Sequence, residues 1–573
     1  MYHEDMKGMK ARWIMADVAE LAESLSRNLG ISLPLARILA NRGLKESREA
    51  ELFLYGSWLD GPSPFLFKDM ARCLERIEKA IENREKILIF GDYDADGLLS
   101  LVMLYRALSQ MGACVDYYIP DRLKEGYGVK TSHLPLIQQK GARLVITVDC
   151  GIKANDFVQL AKEAGIDVII TDHHQPGERI PQALAILNPH LPDSGYPFLH
   201  LTGVGVAFKL IQALLSRKNR ESLIPYYTKL VAIGTITDIA PLVGENRWLV
   251  RHGLKTLAES RNYGLKQLLE VSGLQGERLT EWDIGFRLGP RINAAGRMAS
   301  AELAVRLFLT ESEEEASSLS QKLNQLNYLR QQAEEKILHQ VLAKINNRSW
   351  PLKYRVFITG CEEWSRGIIG IVATRLKEQF NRPVILFAYE NERAYGSGRS
   401  IDSFSLIEAL RQCQELFDDF GGHHHAAGCI LHREKLPELR TRLNKLASSC
   451  LSDEALQPKL IIDSPLAFRE ISGSFLQTYL LLPPFGPGNP LPLFLFSRVK
   501  LISRPQFLTG NLTRLKLEQD GRVFEALCEL KAEELNFFRE GERFDFVASL
   551  QLTRFLGEES FILFIEDWAR PGA

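Results

Sequence analysis

Between residues 75 and 310 the chain alternates short, nearly continuous apolar runs with longer stretches of helical periodicity. The apolar runs are KILIF (86–90), CVDYYIP (114–120), RLVITV (143–148) and DVIIT (167–171). The intervening segments, near 97–111, 131–140 and 153–164, predict helices. Strands apolar on both faces and separated by helices predict a parallel sheet covered on both sides. Residues 313–347 contain neither Gly nor Pro and carry Leu319, Leu323, Leu326, Ala333, Ile337, Val341 and Ile345 at helical spacing among charged residues. That pattern predicts one amphipathic helix on the order of 50 Å long, read as a connector between domains, with a helix lying on one domain's surface as the alternative. After Pro351 a second α/β pattern begins with YRVFITG, IIGIVATRLKEQF and PVILFAY, followed by the glycine-rich loops RAYGSGRS and FGGHHHAAG. Beyond PPFGPGNPLPLF (483–494), read as a Pro/Gly hinge, short alternating runs such as RVKLISR, RFDFVASLQL and SFILFIED predict a small antiparallel barrel.

The length of 573 residues fits about three or four domains. Hydrophobic content of 45% and charged content of 25% suit a globular protein with a sizeable core. No signal-peptide pattern opens the chain and no apolar run has membrane-spanning length, so a cytoplasmic protein without a membrane partner is expected. The eight cysteines are scattered with no C-x-x-C, which argues against a zinc ribbon or a disulfide framework and leaves oxygen and imidazole as metal ligands. A net charge of -1 gives no support for a nucleic-acid partner unless positive charge is concentrated locally.

The stretch ILIFGDYDADGLLS places Asp92, Asp94 and Asp96 just past one strand. A calcium loop of the EF-hand type needs Glu at position twelve and an entering helix; here that position is Met103 and the preceding residues read as a strand. Side chains two apart on an extended chain face one way, so the three acids are expected to converge, with Gly97 opening a helix. Asp149 follows a second strand and Asp172-His173-His174 a third, and ligands of parallel sheets bind beyond the carboxyl ends of strands. Asp149 read singly is equally a helix N-cap, and a His pair in a loop is ordinarily surface. Carboxylates with imidazole and no thiolate suit Mn²⁺ or Mg²⁺, and two such ions about 3.5–4 Å apart activate water against a phosphoryl group. In that arrangement Asp149 bridges the ions, His173 binds one, Asp92, Asp94 and Asp96 divide between both, Asp172 orients an imidazole and His174 serves the phosphate or leaving group. GFRLGPRINAAGRM, with Arg287, Arg291 and Arg297 and no acid, suits phosphate, as do Arg122 and Arg399.

Those residues resemble the DHH superfamily of phosphoesterases, and within it the RecJ family of single-strand-specific exonucleases. GDYDADG, VDCG, TDHH and IGTITDIAPL are similar to four family motifs, the last adding Asp238 as a metal ligand; GGHHHAAG is similar to the DHHA1 signature through His423. RINAAGRM and PFGPGNP are also similar to stretches of that family. The resemblance implies an α/β protein with a helical lead-in (1–70), a parallel-sheet DHH catalytic domain (71–312), a connector helix (313–350), an α/β DHHA1 domain (351–455) and a C-terminal antiparallel OB-fold barrel (456–573). It implies a 5′-to-3′ exonuclease that degrades single-stranded DNA to mononucleotides in repair and recombination. Two Mn²⁺ or Mg²⁺ ions would be held by Asp94, Asp96, Asp149, His173 and Asp238, with Asp92 nearby. His174 would sit at the scissile phosphate, and Arg122, Ser397 and Arg399 would hold a terminal 5′ phosphate. Single-strand-binding protein and a RecQ-type helicase are the implied partners of a monomer. One departure stands out: WSRGIIGIVATR carries Ser365 where the family commonly has His, and Arg366 is the candidate substitute. The alternatives are a DHH phosphodiesterase for short oligonucleotides or cyclic dinucleotides, and a catalytically inactive replication scaffold.

Overall fold

The computed structural model describes residues 11–571 apart from residues 123, 277, 348–353, 509, 511, 531–533, 556 and 557. Two compact units emerge, Ser57–Ser452 and a smaller one that joins the chain's first 56 residues to Asp453–Ala573. The first strand, β1 (Arg12–Met15), belongs to the smaller unit.

In the larger unit β2 (Lys86–Gly91), β3 (Cys114–Tyr118), β4 (Ala142–Val148), β5 (Asp167–Thr171) and β6 (Ala185–Leu187) form an all-parallel sheet in the order β3-β2-β4-β5-β6. Successive residues of β2 face opposite layers. Ile87 and Ile89 pack with Leu98, Val102 and Val206, whereas Leu88 and Phe90 pack with Phe157, Val158 and Ala161. Burial on both faces is why the strand sequences are apolar without alternation. The connection from β2 to β3 goes to one side while β4 lies on the other, so the chain leaves the ends of β2 and β4 in opposite senses and opens a crevice there.

The helix Glu313–Asn347 is a single element of 35 residues. Its first half gives Ala316, Leu319 and Leu323 to the core of the parallel-sheet domain, and its second half gives Ile337, Leu338, Val341 and Ile345 to the next domain's core. That domain holds β7 (Phe357–Cys361), β8 (Val384–Glu390), β9 (Arg393–Arg399), β10 (Phe417–Gly422) and β11 (Ala426–His432), ordered β10-β11-β9-β8-β7 with only β7 and β8 parallel. RAYGSGRS is therefore strand and not loop. Its glycines make room for packing: a Cβ on Gly396 would lie 2.5 Å from the Phe387 ring, and one on Gly398 would lie 2.5 Å from Leu406.

In the smaller unit β1 pairs in parallel with β12 (Lys459–Ile462). Then come β13 (Ser464–Pro465), β14 (Phe494–Leu501), β15 (Gln506–Phe507), β16 (Leu512–Gln519), β17 (Arg522–Glu529), β18 (Arg543–Phe555) and β19 (Glu558–Ala569). The order β14-β18-β19-β17-β16 closes through β14 on β16 into a five-stranded OB-like barrel. Within the five barrel strands the antiparallel expectation needs one correction: β17 and β19 run parallel, because the chain crosses the barrel before adding its last strand beside the third. Helices Ala19–Leu29, Leu33–Asn41 and Ser47–Tyr55 pack Leu25, Leu35, Leu39 and Phe53 into the same core as Phe494, Phe544 and Trp568.

Residues 483–494 are not a hinge. Asn489 is fully buried and donates to the carbonyls of Leu482 (2.9 Å) and Pro484 (2.8 Å). Its Oδ1 accepts from Arg42 Nε at 3.3 Å, and Arg42 Nη2 donates to the Pro490 carbonyl at 2.8 Å. Arg42 Nη1 also pairs with buried Asp463 at 2.7 Å, and Asp463 accepts from the Leu493 amide at 3.1 Å. The glycines and prolines shape a loop that a distant arginine clamps. Breaking a buried ion pair from one side leaves the other charge uncompensated, so Arg42→Met is expected to destabilise this unit by about 3–5 kcal/mol. Urea unfolding of the full chain reads this, and an unchanged midpoint would show that the clamp adds no stability.

Candidate metal centre

Strand β2 ends at Gly91, and the chain does not stay extended through the acids that follow. Helix Ala95–Gln110 starts two residues earlier than glycine placement suggests, because Asp94 is its N-cap and accepts from the amides of Asp96 (3.1 Å) and Gly97 (3.2 Å). The acids thus converge through a strand-to-helix turn and not through strand alternation. Gly97 is required there: a Cβ would lie 2.7 Å from Asp92 Cβ. Asn293 Oδ1 accepts from the Ala95 amide at 2.8 Å and ties the turn to the RINAAGR helix.

Asp96 is buried in the first helical turn, where its carboxylate accepts from the amides of Gly203 (2.6 Å) and Val204 (2.8 Å). Those amides open helix Gly203–Arg217, whose dipole favours an anion at this end. Asp149 follows β4 with φ 59°, the left-handed region, and so turns back over the sheet edge. It is not an N-cap, since the next helix starts at Asn155 behind Ala154. A Cβ on Gly203 would lie 2.6 Å from Asp149 Cβ, so the helix that grips Asp96 also abuts Asp149.

His173 joins the acids. Its Nε2 lies 3.1 Å from Asp149 Oδ1, 3.7 Å from Asp96 Oδ2 and 4.0 Å from Asp238 Oδ2. Asp238 is the C-cap of helix Ile224–Thr237, a position where a negative charge is disfavoured by the helix itself. Asp172, fully buried, points away from this group. Its Oδ1 lies 2.7 Å from His174 Nδ1 and accepts from the amides of His173 (2.8 Å) and His174 (3.1 Å), while Oδ2 accepts from the Ile152 amide (2.9 Å). Tyr127 OH donates to the Asp149 carbonyl at 3.0 Å and lies 3.1 Å from His174 Nδ1.

Burial first, and then neighbouring carboxylates, raise Asp92 and Asp149 well above the usual range. The same causes push Asp96 to about 7 and Asp238 to about 9. Burial and the adjacent His174 bring His173 down to about 3, so its imidazole is neutral and can donate a lone pair. Burial also opposes the charge on His174, but its bond to Asp172 outweighs this and raises it. Oδ1 of Asp92 and Oδ1 of Asp149 are buried without a hydrogen-bond partner. Orphaned anionic oxygens beside neutral imidazole are what hard divalent cations bind. Ligand atoms of Asp96, His173 and Asp238 lie within 4.8 Å of one another, as do those of Asp92, Asp94 and Asp149 and those of Asp149, His173 and His174. The residues therefore fit two cations, with Asp149 common to the last two groups.

The cationic candidates separate. Arg122 lies over the Tyr93 ring, 5.0 Å from its centroid, and Arg297, brought down to about 10 chiefly by burial, feels Arg122, Asp94 and Arg399. Arg399 Nη1 is 3.4 Å from Ser397 Oγ, and Gly370 lets a helix start close against both, since a Cβ there would lie 2.8 Å from that oxygen. His423 feels Lys153 and His174. Arg287 is engaged elsewhere, by Asp283 (3.2 Å) and the carbonyls of Ser272 and Gly273 (both 2.8 Å), so the cluster is not acid-free in space. Arg291 donates to Asn324 Oδ1 (2.9 Å) and the Arg287 carbonyl (2.5 Å), fastening its helix to the connector. Arg366 stacks over Tyr395 at 3.0 Å and pairs with Glu390, so it is not free to replace a histidine at position 365.

Sequence reasoning missed Gly203, Asn293 and Tyr127. The Thr-Gly-x-Gly start of the helix at 203 was the available signal for the first; the other two act across long sequence separations. Gly203→Ala is expected to push Asp149 aside and weaken Mn²⁺ binding at least tenfold while circular dichroism stays native. Unchanged Mn²⁺ titration calorimetry would show that this contact does not set the ligand.

Three family models match in chain order: the DHH family, N-terminal domain over residues 86–235, the DHHA1 domain over 353–449 and the RecJ OB domain over 462–567. The single-stranded-DNA-specific exonuclease RecJ of Bacillus subtilis is 39% identical over 515 residues, covering 89% of this chain, and the chain spans only 64% of that protein's length. The Salmonella typhimurium protein of the same name is 35% identical, with 80% of this chain and 82% of its own length covered. The crystal structure of RecJ in complex with Mn²⁺ from Thermus thermophilus superposes with a TM-score of 0.83 at 29% identity, over 98% of this chain and 80% of that one. With all three domains present and relatives of this identity and coverage, the chain belongs to the RecJ family of DHH phosphoesterases.

Proposed function

We propose that the protein is a divalent-metal-dependent exonuclease that degrades single-stranded DNA from the 5′ end to mononucleotides, in the cytoplasm, in DNA repair and recombination. The observation that carries this reading is the convergence of Asp92, Asp94, Asp96, Asp149, His173 and Asp238 at the sheet's switch point, with two orphaned carboxylate oxygens among them. These six would hold two Mn²⁺ or Mg²⁺ ions, which when bound polarise a phosphodiester and make water a nucleophile near neutral pH. RecJ of Thermus thermophilus has been crystallised in complex with each of these metals.

Water adds to phosphorus and the bond to the leaving 3′ oxygen breaks. Asp172 holds His174 Nδ1, which leaves Nε2 to serve the substrate, and the raised affinity of this ring for its proton suits donation to a phosphate oxygen or the leaving oxygen. Arg122, Arg297, Arg399 and Ser397 would receive the terminal 5′ phosphate, with Arg291 supporting the same helix and His423 facing the reaction from the DHHA1 side. The OB barrel would hold the incoming strand by stacking and basic contacts. Single-strand-binding protein and a RecQ-type helicase are the proposed partners of a monomer, and no described helix is long and apolar enough to cross a membrane.

Digestion of a 5′-phosphorylated single strand is expected with Mn²⁺ and not with chelator, in preference to duplex or RNA. Asp149→Ala is expected to abolish turnover while strand binding survives. Undiminished nucleotide release by that variant would overturn the reading.

A further inference from the structure

Helix Ala95–Gln110 carries Asp96 in its first turn and Arg106 near its far end; helix Ile224–Thr237 ends at Asp238 and carries Tyr226 near its start. At 1.5 Å per residue, Arg106 and Tyr226 lie about 15 and 18 Å along these helices from the metal ligands. Together with Arg261, Asn262, Tyr263, Thr310 and Glu311 they line an open cleft of about 380 Å³. That volume falls at the lower end of the small-molecule range.

The lining sets two arginines, Arg106 and Arg261, against one acid, Glu311, and part of its donor capacity is unspent. Arg106 Nη2 and Asn262 Nδ2 both donate to the Phe308 carbonyl, at 2.7 and 2.8 Å, which fixes the cleft's floor. Arg106 Nε is buried without a partner. Arg261 has no hydrogen bond or ion pair among the described residues. Tyr263 is 41% exposed at the first turn of helix Tyr263–Val271, whose amide end also favours an anion. Guanidinium forks suit a phosphate, and a tyrosine face suits a base.

We infer that this cleft is a second binding site for a nucleoside 5′-phosphate, either free or as part of a strand, separate from the metal centre and joined to it by the two helices that carry Asp96 and Asp238. The choice of nucleotide over another aromatic anion rests on the nuclease reading, whose product is such a molecule.

Titration calorimetry of the full chain in chelator, with dAMP, deoxyadenosine, inorganic phosphate and a 5′-phosphorylated tetranucleotide, tests this. The expected result is metal-independent binding of dAMP that Arg261→Ala weakens at least tenfold. Tyr263→Ala is expected to weaken dAMP but not phosphate, and both variants to retain wild-type turnover at saturating strand. Tighter binding of the tetranucleotide than of dAMP, with the same loss in Arg261→Ala, would identify a strand as the source. Binding indifferent to Arg261→Ala, or lost instead in Arg399→Ala, would overturn the inference. Because the readout is binding without metal, a protein that binds dAMP here yet digests no strand would reject the nuclease reading and leave this site standing.

Discussion

The larger unit is organised around an electrostatic conflict. Asp92, Asp96 and Asp149 are buried with their negative ends facing one another, and Asp94 and Asp238 lie at the same rim. Without a counter-charge Asp92, Asp96, Asp149 and Asp238 hold protons well above the normal carboxylate range. The fold supplies only partial relief, through two amides on Asp96 and a helix cap on Asp94. No arginine or lysine pairs with any of these five acids among the described residues. A protein that crowds acids without pairing them has left the compensation to something it binds.

The sheet makes the crowding possible. Its switch between β2 and β4 opens a crevice that receives one acid-bearing turn from each side, and β5 adds the histidines from the next position. Two helix ends of opposite polarity complete the site. The amino end at Gly203 fixes Asp96, whereas the carboxyl end at Thr237 presents Asp238 against its own dipole. Glycines at 97 and 203 set the spacing by absence, since a methyl group at either would displace an aspartate. Asp172 distinguishes the two histidines, since it accepts from both of their amides but engages only the ring of His174.

Much of this is legible in the sequence. Apolar runs expose the parallel sheet, and the strand-end rule alone brings Asp92 to Asp96, Asp149 and His173 to one edge. The geometry within the first motif is not legible, because whether alternate acids continue a strand or cap a helix depends on the amides that receive them. Asp238 is visible only by resemblance, since nothing in an apolar helix announces an acid at its end as a ligand. Arg287 looks like a phosphate ligand because its partner Asp283 lies just outside the arginine motif, and Asn489 looks like part of a hinge because its partner Arg42 is 447 residues away. Local pattern recovers elements and their edges; it does not recover the contacts, near or distant in sequence, that decide which polar side chains are already spent.

Two divalent cations are the counter-charge that these acids and His173 are expected to bind. Anomalous scattering from crystals grown with Mn²⁺ tests it most directly. Two peaks are predicted, one among Asp96, His173 and Asp238 and one among Asp92, Asp94 and Asp149, with Asp149 reaching both. No peak in the crevice, or a single ion bound elsewhere on the chain, would show that the acids are not a cation site.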